Sequence, residues 1–160
     1  MTTVYVPRDS SARSVGADQV AAAIELEAAR LGTPVEVVRN GSRGMMWLEP
    51  LVEVVSARGR VAYGPVTPDD VAGLFAAGFL DGDTHELGHG VTEQIPWLAE
   101  QDRLTFSRVG VIDPLSTDDY LSQGGLFALR RALAMTPQQI CDEVTQSGLC
   151  LLYTSPSPRD

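Results

Sequence analysis

The sequence predicts an α/β layer within its first eighty residues, ordered strand, helix, strand, strand, strand, helix, with an incomplete second region after it. Three observations carry that expectation. Short β-branched and aromatic runs recur at residues 3–6, 35–38, 51–55 and 60–63. Between the first two runs, Ala17, Val20, Ala21, Ile24, Ala28 and Leu31 fall on one face of a helix. Glycine, proline and capping signals punctuate the chain where those periods change.

Each element can be justified in turn. Thr3-Val4-Tyr5-Val6 is the first strand, and Ser10 to Gly16 reads as a loop in which Ser14 is placed to cap the helix. Asp18, Glu25 and Arg30 lie off the apolar face of that helix; Gly32 suits its C′ position and Pro34 blocks continuation. Val35-Glu36-Val37-Val38 is the second strand. Asn40-Gly41-Ser42-Arg43-Gly44 is a turn cluster, and Pro50 ends the irregular stretch. Residues 51–55 and 60–63 then pair as a hairpin through a turn at 56–59. Thr67-Pro68-Asp69-Asp70 is a capping-box signature with proline at the first helical position. It opens a short helix with Val71, Leu74 and Phe75 on the buried side. The order fits a compact layer of thioredoxin type, assigned to residues 1–78.

Residues 79–93 hold three glycines, four acidic residues and both histidines, and read as a linker. His85 and His89 are four apart, which would suit a metal on a helix, but Gly82, Gly88 and Gly90 oppose a helix there. They read as solvated loop histidines. In residues 94–149, Ile95-Pro96-Trp97-Leu98 is an apolar docking patch and residues 103–109 alternate as a strand would. Ser116 to Asp119 is an N-cap signature, Gly124-Gly125 breaks the chain, and Leu126, Leu129, Arg130 and Leu133 form a short helix. Thr136-Pro137-Gln138-Gln139 is a second capping box, opening a helix that ends at Gly148. Helices so short, with so few apolar positions, do not make a domain alone. They read as the start of a larger unit, leaving apolar surface uncovered.

Composition narrows the function classes. Apolar content is 44%, and no apolar run is long enough to span a bilayer. No secretory leader pattern opens the chain, so a cytoplasmic address is the default. Net charge is −9 and all twelve basic residues are arginine, a balance that argues against general nucleic-acid binding. Cys141 reads as a packing residue beside Ile140, and no C-x-x-C occurs, which excludes a redox thioredoxin. Residues 150–160, with two prolines in Ser155-Pro156-Ser157-Pro158, resemble the in-frame translation of a transposon-type sequencing adaptor. They are expected to be disordered and to lie outside the fold; the alternative is a native Ser/Pro-rich tail.

Two loops carry a resemblance. The run Val4-Tyr5-Val6-Pro7 through Ala12 to Gly16-Ala17, and the run Asn40 to Pro50, resemble the ligand loops of the thioredoxin-like [2Fe–2S] module of NADH dehydrogenases. That module carries C-x4-C before Gly-Ala, then G-C-x-G-x-C ahead of a proline. Its four ligand positions fall on Pro7, Ala12, Ser42 and Met46, none of which supplies a thiolate. The resemblance therefore implies a cluster-free domain, with no catalytic, cofactor-binding or metal residues in residues 1–149. Tyr63-Gly64 and Val66 to Val71 also match the module.

Further on, Ile95-Pro96-Trp97, residues 110–114, Asp119-Tyr120, Gly124-Gly125, Ala128-Leu129 and Ser147-Gly148-Leu149 resemble the lead-in of the NADH-binding flavoprotein subunit of complex I-like enzymes. A cluster-free module fused to that lead-in is most like the diaphorase (beta) subunit of soluble NAD-dependent formate dehydrogenases. The resemblance implies an oxidoreductase parent in which FMN, NAD and a [4Fe–4S] cluster lie beyond residue 149, and a fragment that is itself inactive. It implies a molybdenum/iron–sulfur alpha subunit and a small ferredoxin-like gamma subunit as partners. The flavoprotein subunit of complex I or of an NAD-linked hydrogenase is the alternative; a non-catalytic thioredoxin-like docking module is another. Met45, Met46 and Trp47 serve either as docking contacts or as packing in the vacated cluster pocket.

Overall fold

A computed structural model describes residues 1–148, so the expectations for residues 150–160 lie outside the described residues. The described chain divides into two compact units, one over Met1–Tyr120 and one that begins at Leu121. The first holds β1 (Thr2–Tyr5), α1 (Ser10–Ser14), α2 (Ala17–Leu31), β2 (Val35–Val38), β3 (Val52–Ser56), β4 (Gly59–Tyr63), α3 (Val71–Ala76), β5 (Gly88–Val91) and α4 (Pro96–Ala99). A five-stranded sheet runs in the order β2-β1-β3-β4-β5. Strands β1 and β2 are parallel, joined by the α1–α2 crossover, and the remaining pairs are antiparallel. This mixed α/β sheet is that of a thioredoxin-type layer, with α1 and β5 added to the expected β-α-β-β-β-α order.

Alternation along the strands divides the side chains between two faces. Val4, Val6, Val52, Val54, Val61 and Tyr63 face the principal core with Val20, Ala21 and Ile24 of α2 and Val71 and Leu74 of α3. Burying each of these larger aliphatic side chains stabilises the fold by about 1.5–3 kcal/mol. On the opposite face, Ala62 and Leu51 pack with Met45, Leu48 and Leu98 in a smaller cluster. Helix α2 ends as the sequence requires, with Gly32 left-handed at φ 66°. Thr67 and Asp70 close the capping box that leads into α3, the Thr67 amide donating to Asp70 at 2.8 Å.

Several sequence expectations are corrected. Residues 10–14 form α1 rather than a loop, because Asp9 accepts from the Ser11 and Ala12 amides; Ser14 caps nothing, and Gly16 precedes α2. The stretch 79–93, read as a linker, belongs to the layer. Phe79 is wholly buried against Tyr63 and Phe75, and β5 adds the last strand to the sheet. His89 sits on that strand with its Nε2 2.8 Å from the Gly64 carbonyl, while His85 Nδ1 accepts from the Leu87 amide. Residues 103–109 form turns, not a strand: Leu104 is 88% exposed and Phe106 66%, so no sheet face rewards their alternation.

The second unit contains α6 (Phe127–Ala132) and α7 (Pro137–Ser147), with α5 (Thr117–Ser122) crossing from the first. Thr136 and Gln139 form the capping box expected for α7, which ends at a left-handed Gly148. Cys141 is exposed, not packed. Among described residues after 100, only Gly110 and Gly125 are buried. No helix among the described residues is long and apolar enough to cross a membrane.

Candidate functional site at the two loops

The parallel β1–β2 ladder continues past its strand ends. Val6 N donates to the Val38 carbonyl at 3.0 Å and Arg8 N to the Asn40 carbonyl at 2.8 Å. This extension holds the loop after β1 beside the loop after β2. In the first loop, Asp9 Oδ1 accepts from the Ser11 amide at 3.0 Å and the Ala12 amide at 3.3 Å, and from the Ser11 hydroxyl. That cap turns the chain inward, so Pro7 and Ala12 are both buried.

In the second loop, Ser42 is buried and its hydroxyl accepts from the Gly44 amide at 3.0 Å. A 3-10 turn over Met46–Leu48 then splits the apolar trio between two roles. Met45 is fully buried, whereas Met46 and Trp47 are 55% and 58% exposed. Packing claims Met45; Met46 and Trp47 are the free contacts. Trp47 meets Trp97 of α4 edge-on, ring centroids 5.4 Å apart. The structure thus brings the four ligand-equivalent positions onto adjacent loops, three of them buried and Met46 outward.

Charge is unusually concentrated beneath the second loop. Arg43 and Glu53 are 3% and 1% exposed, with Nη2–Oε1 at 2.9 Å and Nε–Oε2 at 3.3 Å. Arg43 also reaches Glu93 at 2.9 Å. Asn40 Nδ2 donates to Glu53 Oε2 at 3.2 Å and to the Gly110 carbonyl at 2.7 Å. Arg60 lies 3.7 Å from Glu53 and stacks over the Tyr5 ring at 3.4 Å. Removing one partner of such a pair leaves an uncompensated buried charge and costs about 3–5 kcal/mol.

Glu49, hydrogen-bonded to Ser42, and Asp9 of the first loop have opposite tendencies. Burial pushes Glu49 above the usual glutamate range, against hydrogen bonds from Ser42 and the Leu51 amide; the charges of Asp9 and Glu53 push it further up. Burial also opposes ionisation of Asp9. There the hydrogen bonds from Ser11 and Ala12 prevail and hold its carboxyl below the usual range.

An iron–sulfur cluster does not fit these residues. The four positions offer an imide ring, a methyl, a hydroxyl and an outward thioether where such a cluster needs thiolates, and the buried Ser42 hydroxyl already serves Gly44 and Glu49. Among the described residues, no group of three or more His, Cys, Asp or Glu could hold a metal ion. Sequence reasoning missed the Arg43–Glu53 pair and Trp97 as the partner of Trp47. The available signal was Glu53 itself, a charge inside the apolar run Leu51-Val52-Glu53-Val54-Val55.

No family model matches the chain. Over 50 residues, 31% of this chain, it is 42% identical to the NADP-reducing hydrogenase subunit HndC of Solidesulfovibrio fructosivorans, and that match spans 10% of the relative's length. The wild-type thioredoxin-like [2Fe–2S] ferredoxin of Aquifex aeolicus superposes with a TM-score of 0.46 at 22% identity, over 56% of this chain and 97% of that one. A cysteine-to-serine variant of that ferredoxin gives a TM-score of 0.47 at 24% identity, over 56% of this chain and 99% of that one.

Proposed function

We propose that this chain is the N-terminal part of a diaphorase-type electron-transfer subunit of an NAD(P)-linked multisubunit dehydrogenase. Its thioredoxin-like domain is the layer of residues 1–93, to which 79–93 add the last strand, and residues 94–149 begin its flavoprotein domain. The observation that carries this reading is the pair of adjacent loops in a thioredoxin-type layer, which resemble those of a cluster carrier but hold no thiolates. The 42% match to a hydrogenase subunit supports it independently. Formate is the donor that the thiolate-free loops favour, through their likeness to formate dehydrogenase diaphorases. Hydrogen is the second reading, favoured by the relative's name.

In the parent, FMN would exchange a hydride with nicotinamide and pass single electrons to a [4Fe–4S] cluster, all held by residues beyond 149. The described residues contribute a scaffold and a docking face. Met46, Trp47 and Trp97 present an aromatic and thioether patch of the kind that anchors subunit contacts. The partners would be a molybdenum/iron–sulfur subunit and a small ferredoxin-like subunit, in the cytoplasm. Residues 1–149 alone would be inactive in hydride transfer.

Reading the source DNA across codon 149 tests the proposal. An Arg-Gly-Arg-Gly-Gly loop is expected there, and a stop codon overturns the flavoprotein assignment. A neighbouring molybdenum-subunit gene would favour formate; a neighbouring hydrogenase gene would favour hydrogen. The full-length gene product should bind FMN and reduce ferricyanide with NADH.

A further inference from the structure

Residues 103–111 cross the sheet face that carries Tyr5, Glu53 and Arg60, and their manner of attachment is unusual. Little apolar burial anchors them: Leu104, Phe106 and Val109 are 88%, 66% and 43% exposed, and Val111 is only half-buried. The attachments are polar and converge on one buried centre. Asn40 Nδ2 and Arg60 Nη1 donate to the Gly110 carbonyl at 2.7 and 3.3 Å, and Arg60 Nη2 to the Val111 carbonyl at 2.6 Å. Arg103 Nη2 donates to the backbone carbonyl of Arg43 at 2.8 Å. Asn40, Arg43 and Arg60 are the three residues that hold Glu53. Gly110, left-handed at φ 76°, lies so close to Arg43 that a Cβ there would meet the Arg43 Cδ.

We infer that residues 103–111 are a strap that opens as one unit, latched to the sheet through the Glu53 charge cluster. The reason is energetic. A segment with few buried apolar contacts opens at low free energy, and attachments that share one hub are lost together. Beneath the strap lies a cleft of about 550 Å³ between residues 101–106 and Ser42, Arg43, Gly44 and Met46. Opening removes one wall of that cleft and bares the second loop. The inference concerns residues within the first unit, and it stands whether or not the chain is part of a flavoprotein.

Hydrogen exchange read by mass spectrometry on the full chain tests the latch from both of its sides. Gly110→Ala drives a methyl against Arg43 where the strap meets the hub, and exchange in residues 103–111 should rise at least about tenfold while peptides from β1 to β4 keep their rates. Arg60→Met keeps an unbranched apolar stem but removes the guanidinium over Tyr5, its contact with Glu53 and the two carbonyl contacts, and should have the same regional effect. Trypsin should cut after Arg103 and Arg108 faster in both variants. Unchanged strap exchange in a folded variant overturns the latch. Equal acceleration in strap and strands also overturns it, because the segment then opens only with the whole layer. Should one variant fail to fold, the other decides.

Discussion

The layer and the chain that follows it differ in how they satisfy their apolar residues. Every buried apolar side chain among the described residues lies at or before Leu98. Beyond it, Leu104, Phe106, Leu115, Phe127, Leu129, Leu133 and Val144 are all more than half exposed. The capping chemistry is equally good in both regions: Thr67 closes a box before α3 and Thr136 closes one before α7. Local signals therefore shape helices in both places, but only the first region has a surface to bury them on. Secondary structure can be written residue by residue; stability requires a second surface.

The largest expected effect separates the two regions by a single aromatic residue. Phe79, wholly buried against Tyr63 and Phe75, should cost about 3–5 kcal/mol when changed to Ala, read as a lower urea midpoint. Phe127, 69% exposed, should change the same midpoint by no more than about 0.5 kcal/mol on truncation. Comparable losses would break the contrast, since they would require a core around α6.

The caps sharpen it at smaller scale. Thr67→Ala should lower the stability of the layer by about 1 kcal/mol. Thr136→Ala should reduce helical circular dichroism and leave the main unfolding transition where it was. A shared shift would mean that both regions unfold as one.

The smallest effect is a pH dependence confined to the loops. Glu49 has a raised folded value, so the unfolded chain gives up that proton first as pH climbs. Its contribution is neutral below the ordinary glutamate range, and stability then falls until the folded carboxyl has ionised. Asp9, held low, works in the opposite sense: its contribution is present above the ordinary aspartate range and is lost as pH falls through its folded value. Glu49→Gln should raise Tm by a few degrees near neutral pH and by nothing at about pH 4, measured by thermal melts across that range. A gain of equal size at both ends would show that burial of the charge is not the cause.

What was legible in the sequence follows the same division. Strands β1 to β4, helix α2 and both capping boxes were readable because alternation, helical period and cap residues all agreed. Helix α1 was missed although Asp9 stood where an N-cap belongs; five residues rich in serine carry too little propensity to announce a helix. Strand β5, Gly88-His89-Gly90-Val91, is drawn into the sheet by the backbone of β4, and its composition gives no sign of it. Residues 103–109 failed in the other direction, alternating without a face to bury against. At the loops, the four ligand-equivalent positions could be named from the motif. The Arg43–Glu53 pair could not, because its partners come together only when the loop folds onto the sheet.

Placing cysteines at the four positions tests the proposed loop layout most directly. The combined variant Pro7→Cys, Ala12→Cys, Ser42→Cys and Met46→Cys, reconstituted anaerobically with iron and sulfide, should bind a [2Fe–2S] cluster. The expected readouts are two irons per chain, visible charge-transfer absorbance and an electron paramagnetic resonance signal on reduction, with none of these in the parent chain. A folded four-cysteine variant that takes up no more iron than the parent would contradict the proposal that these two loops have the layout of a cluster carrier.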